Sequence, residues 1–497
     1  MSANSALPPI DNKNGRETYQ NVGLLLGPIL FVLFILIPTP MDLAKVGWLT
    51  AAVGIWMAVW WSTEAVPVPA TSLIPLVLFE PLGILSLKEA AAPYANPTIY
   101  LFLGGFILAA AVQKSGLHRR IAYFILSFVG MGARSIILGF MLVSAILSMW
   151  MTNTSTTMML LPIALSIVST LDSGEQYISD QEKRNFQLSL LLGIAYAATI
   201  GGMATLVGTP PNAFLAAFMN ETYGMQIDFA KWMLVGIPLT VVLLPVAWLS
   251  LTRWVYPVSF KTPQEAKLRL IQQRKNLGQV SSAEWRVGIV FALTAFFWMT
   301  RPLIAKWFEV DGLSDAGIAI FAAVSLFVIP SGTTKQTALM DWPDMKDIPW
   351  GILLLFGGGL SLAAAVSSSG LAQWLGESLV SLNVFGMVVL VLSATALVIF
   401  LTELTSNLAT AATFLPVVAV IALEMGGSPM SLVVPVTLAA SCAFMLPVAT
   451  PPNAIVFSSG YISIPQMAKA GFILNILCIG LVTLVSVFIA PLVFKGM

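Results

Sequence analysis

Apolar runs long enough to cross a lipid bilayer recur almost without relief from Val22 to Phe494. A crossing needs roughly 20 consecutive apolar residues, and inside hydrocarbon every backbone N–H and C=O must find its partner within the protein. Only 9% of the residues are charged, against roughly 25% in soluble globular domains, which excludes a water-soluble fold. The chain of 497 residues therefore reads as an all-α polytopic membrane protein of about 11 transmembrane helices.

Charge and cysteine usage remove further classes. The 24 Lys and Arg balance 23 Asp and Glu, so no basic field exists to attract nucleic acid. Cys442 and Cys478 sit in apolar stretches without paired spacing, and His118 is the one histidine; metal clusters and redox chemistry are not expected. Residues 1–21 read as a solvated, cytoplasmic tail without the apolar core of a signal peptide. The densest basic stretch, 255–286, carries Lys261, Lys267, Arg269, Arg274 and Lys275 and is expected on the cytoplasmic side. Its amphipathic portion, Gln264 to Lys275, is suited to the membrane surface.

The chain is an internal duplication. GGFILAAAVQKSGL at Gly104 to Leu117 returns as GGLSLAAAVSSSGL at Gly358 to Leu371, with ten of fourteen positions identical. In the same register Asn153, Thr156, Leu161 and Pro162 return as Asn407, Thr410, Leu415 and Pro416, and later VGTPPNA (Val207 to Ala213) returns as VATPPNA (Val448 to Ala454). One repeat covers 22–254, with a hairpin around 135–168 and a broken helix around 188–218. The other covers 287–497, with a hairpin around 385–421 and a broken helix around 432–457. Lys114, Arg119, Arg120 and Arg134 flank the first hairpin, whereas Ser368 to Val388 holds no base; the charge rule then puts the two hairpins on opposite sides. Such inverted repeats place a binding site near the midplane, where broken helices of the two halves meet. Packing alone accounts for the GG and AAA elements but not for matched polar breaks.

The first break is Ser148-Met149-Trp150-Met151-Thr152-Asn153-Thr154, in the middle of an apolar segment, and it reads as the tip of a re-entrant hairpin. One half-helix ends near Thr152 and another begins at Thr154. Asn and Thr suit a helix N-cap, and the free N–H groups beyond, backed by the dipole, favour a carboxylate. Carbonyls ending the first half-helix suit a cation. The second break, Thr402-Glu403-Leu404-Thr405-Ser406-Asn407-Leu408, has Leu408 where the first has Thr154, one hydroxyl fewer. A continuous membrane helix with Ser and Thr bonded to their own i−4 carbonyls is the bland alternative for either stretch taken alone. In each TPPNA the paired prolines lack N–H groups, so helices are expected to unwind at Pro210-Pro211 and Pro451-Pro452. The freed carbonyls, with the Asn amides and Thr hydroxyls, make an oxygen-only site for a hard monovalent cation. No Arg or Lys lies in these motifs, so a divalent anion must be neutralised by helix N-termini and co-bound cations, which couples the two. Glu64 and Glu403 are acids in apolar surroundings: Glu64 is expected to serve structurally at a helix end, and Glu403 as a cation or proton ligand or as a cap.

These motifs, together with WWSTEAVPVPATSLIPL, LFLGGFILAAAVQKSGLHRRIA, TNTSTTMMLLP and TELTSNLATAATFLP, make the chain resemble the divalent anion/sodium symporter family over nearly its whole length. The resemblance implies a homodimer in which a scaffold domain holds the interface and a transport domain moves like an elevator. It implies one sodium site on Ser148, Thr152, Asn153 and Gly208, and a second on Thr402, Thr405, Asn407 and Ala449. Substrate would contact Asn153 and Thr154 on one side and Asn407 and Leu408 on the other, with Thr209, Pro210, Thr450 and Pro451 nearby. Thr152 departs from the family's usual Ser but keeps the hydroxyl; Leu408, where many members have Thr, removes a donor. The expected function is sodium-coupled symport of C4 dicarboxylates (succinate, malate, fumarate) across the inner membrane, with sodium as the co-transported ion and no catalytic residues. A sodium-independent exchanger, or a sodium-coupled citrate or sulfate transporter of the same fold, is the alternative. An intramembrane enzyme would need a nucleophile and base that one His and scattered acids do not supply, and a channel gives no reason for paired dead-end hairpins.

Overall fold

The computed structural model describes residues 17–128, 130, 132–173, 178–260, 271–309, 312–333, 336–378 and 386–495. Residues 1–16 of the polar tail and 261–270 of the basic linker, with 264–270 of its amphipathic portion, lie outside the described residues. Among the described residues eight helices are long and apolar enough to cross a membrane, and six apolar helices are shorter. Three of the shorter ones, Ala133–Ser148, Asn153–Ser169 and Met387–Thr402, adjoin the polar breaks.

Helices α1 (Thr18–Leu36) and α2 (Lys45–Thr63) form an antiparallel pair. They approach closely because Gly23 leaves room for Thr63 and Gly27 for Trp56 and Trp60. Gly23 and Gly27 are the buried residues of α1, and many of its apolar side chains, including Leu25, Ile29 and Leu36, are exposed, as a lipid-facing helix requires. After α3 (Pro97–Ser115), Gly116 takes the left-handed conformation (φ 84°) and turns the chain into the short α4 (Leu117–Ser127). A side chain there would be strained.

Two helix pairs follow the repeat. In the first half, α5 (Ala133–Ser148) and α6 (Asn153–Ser173) flank the break at 149–152, and α7 (Asp180–Gly202) and α8 (Pro210–Tyr223) flank an unwound loop at 203–209. Next come α9 (Phe229–Leu249), continued by one wider turn over Ser250–Val255, then α10 (Ser282–Phe308), α11 (Asp315–Val328) and α12 (Trp350–Ser368). A small β-hairpin, Pro330–Thr333 with Gln336–Ala338, interrupts them. In the second half, α13 (Leu371–Ser378) leads toward α14 (Met387–Thr402) and α15 (Asn407–Glu424), which flank 403–406, and α16 (Met430–Ala440) and α17 (Pro451–Phe457) flank 441–450. Helix α18 (Ile464–Phe488) closes the fold.

The core lies around α7, buried at every residue from Asn185 to Gly202; a helix apolar all round must be enclosed. Gly193 and Gly201 let it sit directly on α5, since a Cβ at Gly201 would stand 2.2 Å from the Ala145 carbonyl oxygen. One end of the bundle is tied by polar contacts. Lys114 pairs with Asp344 (2.6 Å), Arg120 with Glu284 (3.0 Å), Ser259 donates to Glu182 (2.7 Å) and Tyr256 to the Gln466 carbonyl (2.7 Å). The base of α5 sits at this end, where the Ala133 N–H donates to the Phe260 carbonyl (3.1 Å). At the opposite end Arg301 holds Asp315 (2.6 Å) and Asp228 (3.6 Å).

Candidate functional site

The four polar interruptions converge on one cavity of about 890 Å3. Thr152, Asn153 and Thr154 reach it from the first break, Thr405, Asn407 and Leu408 from the second. Gly208, Thr209 and Pro210 line it from one unwound loop, and Ala449, Thr450 and Pro451 from the other. Of the residues assigned to the two sodium sites and the substrate contacts, Ser148 and Thr402 are absent from the lining; both are fully buried directly behind it.

Those two hydroxyls orient the site. The Ser148 hydroxyl donates to Oδ1 of Asn153, and in the second half Thr402 Oγ1 lies 2.9 Å from Oδ1 of Asn407 and 2.9 Å from the Ala440 carbonyl oxygen. Each asparagine oxygen is thereby turned back toward a helix end. The amide nitrogen, which can only donate, remains for the cavity.

The first break lies earlier than the sequence suggests: α5 ends at Ser148 rather than near Thr152. Helix α6 begins at Asn153 rather than Thr154, and its cap is Thr152, whose Oγ1 accepts the Ser155 N–H (3.2 Å) and stands 2.9 Å from the Ser155 hydroxyl. Helix α15 begins at Asn407, with Ser406 at the cap position. Thr405 Oγ1 donates to the Leu401 carbonyl (3.1 Å) and meets the Thr410 hydroxyl at 2.6 Å.

The TPPNA motifs act differently from the expectation. Their prolines do not break a helix from within; Pro210-Pro211 and Pro451-Pro452 occupy the first two positions of α8 and α17, where an N–H has no intrahelical partner anyway. The preceding helix has already ended, at Gly202 in the first half and Ala440 in the second. The Asn amides do not join the cavity either. Asn212 Nδ2 donates to the carbonyls of Gly202 (3.3 Å), Met203 (3.3 Å) and Thr205 (2.8 Å), and Asn453 Nδ2 to those of Ala443 (3.2 Å) and Leu446 (3.0 Å). Both are fully buried. They staple the unwound loops, satisfying carbonyls that would otherwise be orphaned at membrane depth. Local sequence gives no sign of this, because the acceptors are carbonyls.

Glu403 staples too, and is treated below. Glu64 ends α2 in the left-handed conformation (φ 47°), at the expected helix end, and also lines the cavity beside Ser62 and Tyr19. Among the described residues it is the one charged side chain of the lining; no Lys or Arg contributes. Groups of His, Cys, Asp and Glu able to hold a metal cluster are absent among the described residues.

Comparison with known proteins gives one consistent pattern. Residues 19–494 match the model of the sodium:sulfate symporter transmembrane region. The chain is 44% identical, over 96% of its length and 92% of the relative's, to the sodium-dependent dicarboxylate transporter SdcS of Staphylococcus aureus (strain MRSA252). It is 43% identical to SdcS of Staphylococcus saprophyticus, over 97% of this chain and 94% of that one. Among solved structures it resembles the Alcanivorax borkumensis YdaH transporter with a TM-score of 0.52 at 13% identity, covering 95% of this chain and 96% of the other; that likeness speaks to the fold.

Proposed function

Because the chain belongs to the sodium:sulfate symporter family, we propose that it is a secondary active transporter coupling sodium entry to uptake of C4 dicarboxylates such as succinate, malate and fumarate. The relatives' names as sodium-dependent dicarboxylate transporters support this reading, and they name no enzymatic activity. The observation that carries it is the single cavity in which two Asn-bearing breaks and two TPP turns meet without a Lys or Arg. A dianion in that cavity needs positive charge, and α6, α8, α15 and α17 all begin beside it; α6 and α15 present free N–H groups and the positive ends of their dipoles, whereas α8 and α17, which start with two prolines, add only their dipole ends. Co-bound sodium supplies the remainder. Each ion lowers the desolvation cost of the other, and that reciprocal coupling is symport.

In this reading one sodium is held by Ser148, Thr152, Asn153 and Gly208, the other by Thr402, Thr405, Asn407 and Ala449. The substrate carboxylates contact the amides of Asn153 and Asn407, with Thr154 and Leu408 flanking them and Thr209, Pro210, Thr450 and Pro451 forming the walls. The pairs α5–α6 and α14–α15 are re-entrant hairpins of two inverted repeats, 22–254 and 287–497. They enter from opposite faces of the inner membrane, with the N-terminus and the linker 255–286 in the cytoplasm. Clustering of Lys114, Arg120, Arg134, Arg274 and Arg286 toward one end supports that orientation. The protein works as a homodimer whose transport domain carries the site across the membrane against a fixed scaffold.

The test is labelled succinate uptake into proteoliposomes with and without an inward sodium gradient, with potassium at equal ionic strength as control. Uptake that depends on the sodium gradient is expected. Uptake that needs internal dicarboxylate and ignores sodium would replace symport with exchange.

A further inference from the structure

One carboxylate holds the second unwound loop. Glu403, 3% exposed, accepts at Oε1 from the N–H groups of Phe444 (2.7 Å) and Met445 (2.9 Å) and the amide of Asn475 (2.8 Å). At Oε2 it accepts from Met445 (3.0 Å) and Leu446 (3.1 Å). Every neighbour is a donor, so the geometry suits the ionised, acceptor-only form. No Lys or Arg pairs with it among the described residues.

The first half has no such group. Met149 stands at the matching place, and its carbonyl accepts the Thr205 hydroxyl, which in turn accepts the Gly208 N–H (3.1 Å). A neutral hydroxyl does there what a charged carboxylate does in the second half. The halves therefore share a backbone plan but not an electrostatic one.

We propose that Glu403 is a positioning residue that makes the second sodium site, on Thr402, Thr405, Asn407 and Ala449, bind its ion more tightly than the first. This rests on the sodium-coupled reading above. Two physical effects act together. Fixing the N–H groups of residues 444–446 fixes the peptide planes leading to Leu446, whose carbonyl accepts the Ala449 N–H (3.2 Å) and the Asn453 amide (3.0 Å), and so sets the Ala449 carbonyl. The carboxylate, hydrogen-bonded but paired with no Lys or Arg among the described residues, also follows Thr402 directly in the chain, in buried surroundings where Coulomb attraction for a cation is less screened than in water. The first site, on Ser148, Thr152, Asn153 and Gly208, has the carbonyls but not the charge.

The experiment is a sodium titration of succinate uptake by the full chain in proteoliposomes. Glu403→Gln keeps the shape, removes the charge and turns an amide N–H2 toward backbone donors. Its sodium half-saturation is expected to rise about tenfold, the scale of losing hydrogen bonds to a charged group, while maximal uptake recovers at high sodium. A lower maximal rate that sodium does not rescue would mean that Glu403 only supports the fold, and would overturn the proposal. If Glu403→Gln fails to insert, Asn475→Ala, which removes one of the five contacts and no charge, is expected to raise half-saturation about threefold; an unchanged value there would also overturn it. The wild type separates the two levels. Sodium-independent uptake by it would sink both the coupled reading and this proposal, whereas sodium-dependent uptake with a flat Glu403→Gln response would sink this proposal alone.

Discussion

Gly208→Ala tests the site through its backbone. A Cβ at Gly208 would stand 2.5 Å from the Gly202 carbonyl oxygen, 2.9 Å from its Cα and 3.0 Å from its carbonyl carbon. That is about 0.9 Å inside ordinary van der Waals contact, and the obstacle is backbone, so no rotamer change relieves it. Gly202 is itself buried at the end of the enclosed α7, so its backbone can retreat only by displacing packed neighbours. Overpacking of this kind costs about 1–3 kcal/mol. If the strain is relieved by displacing the Gly208 carbonyl from a bound sodium, affinity falls by roughly 5–150-fold. The internal control is the second half, where the matching residues are Ala443 and Ala449 and the loop already accommodates both methyl groups. Ala449→Gly is therefore expected to leave sodium dependence within about twofold, a few tenths of a kcal/mol. The assay is the sodium dependence of succinate uptake in proteoliposomes, with thermal unfolding in detergent measured in parallel. Gly208→Ala with wild-type half-saturation and wild-type stability would refute the close packing of 202 on 208 and the cation role of the 208 carbonyl together.

Asn153→Ala and Asn407→Ala should each abolish uptake while leaving membrane insertion and detergent extraction unchanged; near-normal transport by either would remove that residue from the site. Leu408→Thr restores to the second half the hydroxyl that Thr154 gives the first and should change relative inhibition by succinate, malate and citrate, whereas an unaltered inhibition profile would show that position 408 does not touch substrate. At the basic end, burial pushes the His118 imidazole below its ordinary pKa and the neighbouring Arg119 adds to the effect, against the opposing Val112 carbonyl. The neutral imidazole is thus favoured in the folded state, and the stability this contributes is complete above about pH 6.5 and is lost as pH falls from there through the lower folded-state pKa, by at most about 1.4 kcal/mol per pH unit. Thermal unfolding between pH 8 and pH 5 should fall more steeply for the wild type than for His118→Gln; parallel curves would contradict this.

Much of the helical fold and most of the candidate cavity's lining are legible in the chain because the signals are local or repeated. Runs of apolar residues can only mean membrane helices, and two copies of one pattern point to the same positions twice: Asn153 with Asn407, Thr209 with Thr450. A residue type that a helix cannot use at membrane depth is conspicuous wherever it occurs. For that reason the cavity-lining residues Thr152 to Thr154, Thr405 to Leu408 and the two TPP turns are conspicuous in the sequence itself.

What tertiary structure decided is how the polar groups divide their work. The amides of Asn212 and Asn453 looked like ligands in sequence and are staples in space, because the carbonyls they bond lie seven to ten residues back in loops whose path no local pattern encodes. The prolines beside them looked like breaks and are beginnings, since the helix before each has already stopped, in the first half where Gly201 meets Ala145. Glu403 shows the same division: its presence at membrane depth was plain from composition, but its partners stand 41 to 72 residues away. Patterning determines which residues cannot face lipid. Packing between distant segments determines which of them line the cavity and which hold the backbone that does.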